Sequence, residues 1–220
     1  IRGAIFDLDG TILDSMPIWD NAAEMYLNSL RIEAEPGLGK TMFSMSMAEG
    51  AEFFRNKYRL DMDICEIIEG INHTIEDFYY YQVQLKKGAE QFLKDMKQAG
   101  IKITAATCSD RKIVERALKR LNVINYFDRI FTCSEIGSGK VKPDIYLAAA
   151  EYMGTHLKDT WVFEDALHAI KTAKDAGFKS AGVYDASSIG NMEEIKRICD
   201  IYLCELDSFH LFLKMVKVIA

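Results

Sequence analysis

Ile1-Arg2-Gly3-Ala4-Ile5-Phe6-Asp7-Leu8-Asp9-Gly10-Thr11 joins a short apolar run to two carboxylates two residues apart. The run reads as a buried β-strand. Acids at the carboxyl end of a strand, followed by glycine, lie where an open α/β sheet gathers its chemistry. Fold consistency alone does not call for them. Charged side chains are rarely buried without a partner, so paired acids here ask for a cation or a reaction.

Working outward, short apolar runs recur, each followed by a helical pattern. Residues 101–106 predict a strand and 110–121 the helix after it. Residues 129–132 predict a short strand, and 143–152 a helix with proline in its first turn, where the missing N–H has no intrahelical use. Residues 160–163 predict a strand and 166–176 a helix stopped by Gly177; 179–184 and 200–203 predict the last strands. Strands alternating with helices argue for a parallel, doubly wound, Rossmann-like α/β sheet. Residues 15–85 break the alternation with helical patterns alone, at 17–30, 45–58 and 62–81. That is too much helix for one crossover. The expectation is an α/β core formed by residues 1–14 and 86–220, with an all-α cap, 15–85, inserted after the first strand. Linkers are expected near 14–17 and 83–88.

A chain of 220 residues can bury a full core. Its net charge of −6 leaves no electrostatic footprint for nucleic acid or an anionic membrane, so neither is expected as a partner. No apolar run approaches the roughly 18 residues of a spanning helix, and no signal-peptide pattern is present. Cys65, Cys108, Cys133, Cys199 and Cys204 are odd in number and scattered, without a CxxC pair. They are expected to be free thiols in a reducing, cytoplasmic setting.

Four segments bring polar groups to strand ends or helix starts. They are Asp7 with Asp9, Thr107-Cys108-Ser109, Lys140, and Glu164-Asp165. The set suits phosphoryl transfer. A carboxylate nucleophile approaching a phosphate dianion meets like-charge repulsion, which Mg²⁺ between them offsets. Asp7, Glu164 and Asp165 are the hard oxygen ligands Mg²⁺ prefers. Lys140 adds a fixed positive charge. Thr107, with backbone N–H groups at a loop-to-helix turn such as that of Cys108, can cradle phosphoryl oxygens. Asp9 is then free as acid and base, and an aspartyl-phosphate divides the reaction into two easier displacements.

Motif by motif, this pattern resembles the haloacid dehalogenase-like hydrolases, most of which are Mg²⁺-dependent phosphatases and phosphomutases. The resemblance runs from Ile5 to about Gly177 and includes a helical cap like that of the β-phosphoglucomutase and phosphoglycolate phosphatase branch. It implies Asp7 as nucleophile and Asp9 as acid/base, whose backbone carbonyl also ligates the metal. Thr107 stands at the hydroxyl position, Lys140 at the cation position, and Glu164-Asp165 at the acidic position. Three departures stand out. Lys140-Val141-Lys142-Pro143 replaces the usual Lys-Pro-x-Pro, and register to the proline selects Lys140 over Lys142. Ala166 and Ala169 replace a serine and a glycine. Trp19 occupies the position of a histidine that assists sugar chemistry in the mutases. Tryptophan can bind a ring face but cannot shuttle a proton.

The implied activity is hydrolysis of a small phosphorylated metabolite of the sugar phosphate or phosphoglycolate type. A phosphomutase and an inactive phosphate-ligand-binding protein are the alternatives. A dehalogenase would leave Asp9 and the acidic pair unexplained. Trp19 and Lys40 are candidates for selecting substrate. Asp110 reads as a helix cap, and His168 as a helix residue turned sideways. Lys86-Lys87 reads as a solvated hinge edge. Tyr79-Tyr80-Tyr81 spans most of a helical turn, so the three cannot all face one way; one is expected in the core and one at the cleft.

Overall fold

The structure is a computed structural model that describes residues 1–42 and 45–219; the side chains of Lys40 and Ile219 lie outside it. In chain order, β1 (Gly3–Phe6) leads to α1 (Met16–Ser29), α2 (Leu38–Met42), α3 (Met47–Tyr58) and α4 (Ile64–Asp77), which ends in a π-helical turn, Phe78–Gln82. The alternating part follows as α5 (Ala89–Gln98), β2 (Lys102–Thr107), α6 (Arg111–Arg120), β3 (Arg129–Thr132), α7 (Cys133–Ile136) and α8 (Asp144–Met153). It closes with β4 (Thr160–Glu164), α9 (Leu167–Asp175), β5 (Lys179–Val183), α10 (Met192–Ile198), β6 (Ile201–Leu203) and α11 (Phe209–Ile219).

The six strands form one parallel sheet in the order β3-β2-β1-β4-β5-β6. Helices cover both faces, so β1 and β4 are buried along their whole length and read as continuous apolar runs rather than alternating ones. The helices carry the complementary pattern: α6 buries Ile113, Val114, Ala117 and Leu118 on one face. Asp110 caps it, accepting from the Lys112 N–H at 2.9 Å, as its sequence position implies. Under the sheet, Phe6 stacks on Phe163 with ring centroids 4.2 Å apart, and Phe92 of α5 and Phe212 of α11 close on them.

The helices from α1 to α4 form a cap with its own apolar cluster, built around Tyr26, Leu27, Phe54, Ile67 and Ile71. Reciprocal capping boxes, Ser46 with Glu49 and Asp63 with Glu66, start α3 and α4. The outgoing and returning chains run side by side. The Asp14 N–H donates to the Gln84 carbonyl at 2.9 Å and the Lys86 N–H to the Ile12 carbonyl at 2.8 Å. The cap therefore hangs on two adjacent connections directly beside Asp7 and Asp9.

Candidate active site

The strand order reverses at β1, which has β2 on one side and β4 on the other. In such sheets the crevice at the carboxyl ends of the strands is the binding position. Asp7 follows β1, and its N–H still donates to the Phe163 carbonyl of β4 at 3.0 Å. Thr107 ends β2 and Glu164 ends β4. Parallel registry thus delivers three of the four sequence segments to one place, and the loop before α8 brings Lys140.

Lys140, Asp7, Glu164 and Asp165 are all buried. The Lys140 Nζ donates to the Asp7 carboxylate and, at 2.7 Å, to Glu164 Oε1. Tyr146 also donates to Glu164 Oε1, at 2.8 Å, and the Ser188 hydroxyl to Asp165 at 3.4 Å. Burial raises the Asp7 carboxyl well above its usual range, with Glu164 and Asp165 adding to the effect and Lys140 opposing it. Burial, with Glu164 and Asp185, does the same to Asp165. For Lys140, burial alone favours the neutral amine, but Asp7 and Glu164 outweigh it and hold the ammonium charged. Ionised together, the three buried carboxylates would exceed the charge of the one ammonium, and burial answers by favouring the protonated forms of Asp7 and Asp165. Oxygens of the three lie within 4.8 Å of one another, an all-oxygen set that fits a hard divalent cation. Gly10 permits this approach. Its φ is +85°, and a Cβ there would meet Asp165 Oδ2 at 2.7 Å.

Asp9 has a different setting. Its Oδ1 accepts from Ser15 at 2.7 Å and from the Tyr79 hydroxyl; its Oδ2 accepts from Ser109 at 2.6 Å and from Thr107 at 3.4 Å. Tyr79 in turn accepts from the Trp19 indole N–H at 2.5 Å. Burial, and then the Asp9 charge, raise the Tyr79 phenol well above its usual value, so it keeps its proton and donates. Between cap and core lies a cavity of about 140 Å³. Asp7, Asp9, Ser109, Lys140, Glu164 and Asp165 form its floor, and Met16, Trp19, Met42, Met45, Met47, Phe54 and Ile71 line its roof.

Asp7, Asp9, Lys140, Glu164, Asp165, Cys108 and Trp19 all reach this cavity. Thr107 is fully buried beneath it; its hydroxyl accepts from the Ser109 N–H at 3.0 Å, so the loop presents Cys108 and Ser109 instead. The Cys108 and Cys133 sulfurs lie 3.1 Å apart as free thiols. Lys142 is exposed, whereas Lys140 is buried at the cavity floor. The Lys40 side chain lies outside the described residues. Two expectations need correction. His168 is not turned away: it lines the cavity, and burial lowers its imidazole pKa below the usual value. Lys86 is not solvated, because it pairs with the buried Asp185 at 2.7 Å; Lys87 is exposed. Sequence reading missed Ser15 and Tyr146, and gave Ser109 no contact with Asp9. The tyrosine triplet was the one available signal for Tyr79. Tyr79 turns to Asp9, Tyr80 packs under the Arg116 guanidinium, 3.8 Å from its ring centroid, and Tyr81 is exposed.

The model of the family described as haloacid dehalogenase-like hydrolase matches residues 4–183. Among curated proteins, the chain is 22% identical over 179 residues to a phosphorylated carbohydrates phosphatase of Thermotoga maritima, covering 81% of this chain and 83% of that protein. It is 26% identical over 227 residues to a phosphoglycolate phosphatase of Shigella boydii, covering 92% and 88%. Among solved structures, a β-phosphoglucomutase of Clostridium difficile superposes with a TM-score of 0.80 at 20% identity, covering 99% of this chain and 98% of that one. At that identity the likeness is one of fold.

Proposed function

Because the chain belongs to the haloacid dehalogenase-like hydrolases, we propose that it is a Mg²⁺-dependent phosphatase. Its substrate would be the phosphate monoester of a small metabolite, hydrolysed through an aspartyl-phosphate. The observation that carries this reading is the contrast between two neighbouring carboxylates on one cavity floor. Asp7 sits against a buried ammonium and two further acids, and Asp9 sits among hydroxyls. Carboxylates placed in such different surroundings are suited to different tasks.

Asp7 attacks phosphorus. Asp9 gives a proton to the leaving oxygen, then takes one from the water that hydrolyses the aspartyl-phosphate. Lys140 offsets the phosphoryl charge, and the Thr107-Cys108-Ser109 loop holds its oxygens. Asp7, Glu164, Asp165 and the Asp9 carbonyl are the residues that would hold Mg²⁺. When bound, the ion supplies charge neutralisation between nucleophile and dianion. The helical cap over the cavity excludes bulk water. The names of relatives, a phosphorylated carbohydrates phosphatase and a phosphoglycolate phosphatase, support a small phosphate monoester as the substrate class. The phosphomutase alternative is disfavoured at Trp19, whose indole N–H is already engaged by Tyr79.

The test is release of phosphate from p-nitrophenyl phosphate and a metabolite panel, with Mg²⁺ or with chelator, for wild type and Asp7→Asn. Turnover that needs Mg²⁺ and is abolished in Asp7→Asn is expected. Activity that survives either change refutes the mechanism. A folded protein that binds phosphate esters without turning them over would be the binding alternative.

A further inference from the structure

The two walls of the cavity differ in chemistry. The floor is ionic, whereas the roof is made of Met16, Trp19, Met42, Met45, Met47 and Phe54. Gly50 leaves room for Met42: a Cβ there would meet the Met42 Cε at 2.9 Å. The polar side chains of the roof are committed or marginal. The Trp19 N–H serves Tyr79, and the Ser46 hydroxyl accepts from the Glu49 N–H as an N-cap. Asp20 is exposed and negative. Among the described side chains lining the roof, none is a cation.

A polyhydroxylated leaving group entering this space would lose its water and meet thioethers and rings. Each hydroxyl left without a partner weakens binding. An apolar ring meets the reverse situation, since methionine sulfur and aromatic faces are favourable neighbours for it. Size sets a further bound: the cavity, about 140 Å³, must hold the phosphoryl group and the alcohol together, so the group under the roof is compact.

Resting on the phosphatase reading above, we infer that the cap selects phosphate monoesters whose alcohol carries one compact aromatic group, in preference to sugar phosphates. The phosphate sits on the ionic floor and the ring against Trp19, Met42, Met45 and Phe54.

The experiment separates the two claims. Mg²⁺-dependent hydrolysis of acetyl phosphate, which has almost no group to place under the roof, tests the phosphatase reading alone. Calorimetric binding of benzylphosphonate and of 2,3-dihydroxypropylphosphonate tests the roof and needs no turnover. Benzylphosphonate is expected to bind at least tenfold more tightly, and a smaller ratio overturns the inference. Met42→Gln and Met45→Gln, at half-buried positions, are each expected to lower that ratio at least threefold. A ratio unchanged in both overturns the assignment of the ring to this roof. Failure with acetyl phosphate but a tenfold binding ratio would remove the hydrolase reading and leave the apolar selectivity standing.

Discussion

Replacing Lys140 by methionine keeps the length and volume of the side chain and removes its charge. The ammonium touches Asp7 and, at 2.7 Å, Glu164, with Asp165 close by. With an effective dielectric constant of about 20, one such contact is worth roughly 6 kcal/mol before other terms. Desolvating the ammonium offsets several kcal/mol of that, so the attraction is not the net contribution. What Lys140→Met adds is uncompensated buried negative charge, and breaking a buried pair in this way costs about 3–5 kcal/mol. For a chain of this size each kcal/mol moves Tm by about 2–4 °C, so a fall of roughly 6–20 °C is expected. The assay is urea and thermal unfolding in chelator, followed by circular dichroism and by tryptophan fluorescence, so that coincident transitions justify a single free energy. Mg²⁺ is then expected to return more stability to the variant than to wild type, because the three acids no longer face a competing cation. Binding to the folded state alone contributes about 2.7 kcal/mol at a concentration of 100 times Kd. A variant within about 1 kcal/mol of wild type in chelator would refute the reasoning. It would mean that the acids tolerate burial without the lysine.

Tyr79→Phe removes a charge-directed donor to Asp9 and the acceptor of the Trp19 N–H; kcat for p-nitrophenyl phosphate is expected to fall about 10- to 100-fold. An unchanged kcat would remove Tyr79 from the positioning of Asp9. Gly10→Ala forces alanine into a φ of +85° and drives its Cβ into Asp165. It is expected to cost about 1–3 kcal/mol in urea unfolding and to weaken Mg²⁺ binding measured by calorimetry; intact Mg²⁺ affinity would show that Asp165 does not need this approach. Asp200 accepts from the Ser180 N–H at 2.9 Å and from Lys179 at 3.1 Å. Burial raises its carboxyl pKa, but these partners and Lys174 outweigh that and hold it below the usual value. A folded-state pKa below the unfolded one gives stability above the ordinary carboxylate range that is lost as pH falls through the folded value. Asp200→Asn should therefore lose about 1–2 kcal/mol at neutral pH, and the gap from wild type should close as pH drops below about 4. A gap independent of pH would refute it.

The sheet was legible because strands covered on both faces are written as unbroken apolar runs, and β3 occupies residues 129–132 as expected. The ionic floor was legible for a related reason. Each member lies within a few residues of a strand end or helix start, so local reading places it and the topology gathers it. What failed was non-local. The contact of Tyr79 with Asp9 joins residues 70 positions apart, and no periodicity encodes it. The turn that carries Tyr79 is π-helical, so ordinary helical spacing does not say which of the three tyrosines faces Asp9. Lys86 looked solvated beside Lys87, because its partner Asp185 is 99 positions away. The helix α11, which brings Phe209 and Phe212 to the core, was not anticipated either. Its packing face shows only when Phe92 and Phe163 are in place opposite it.

The ring of hydroxyls around Asp9 has a consequence for the proposed cycle. Asp9 must be protonated in one half-reaction and ionised in the other. Four fixed N–H donors would favour the ionised form throughout, because an N–H cannot accept. A hydroxyl can turn and accept a proton instead of giving one. Not all four hydroxyls are equally free to do so. The Trp19 N–H occupies the Tyr79 oxygen, and the phenol proton points at Oδ1, so Tyr79 remains a donor. The Ser109 N–H similarly holds the Thr107 oxygen. Ser109 is the hydroxyl that can reverse at Oδ2, at 2.6 Å, and it lines the cavity. In the proposed cycle, Ser109 would let Oδ2 exchange a proton with the cavity that Ser109 and Asp9 both line. Tyr79, from the end of the cap, keeps a fixed donor on the other oxygen. In the proposed cycle the cap would then contribute to the chemistry through the fixed Tyr79 donor on Asp9, in addition to covering the site.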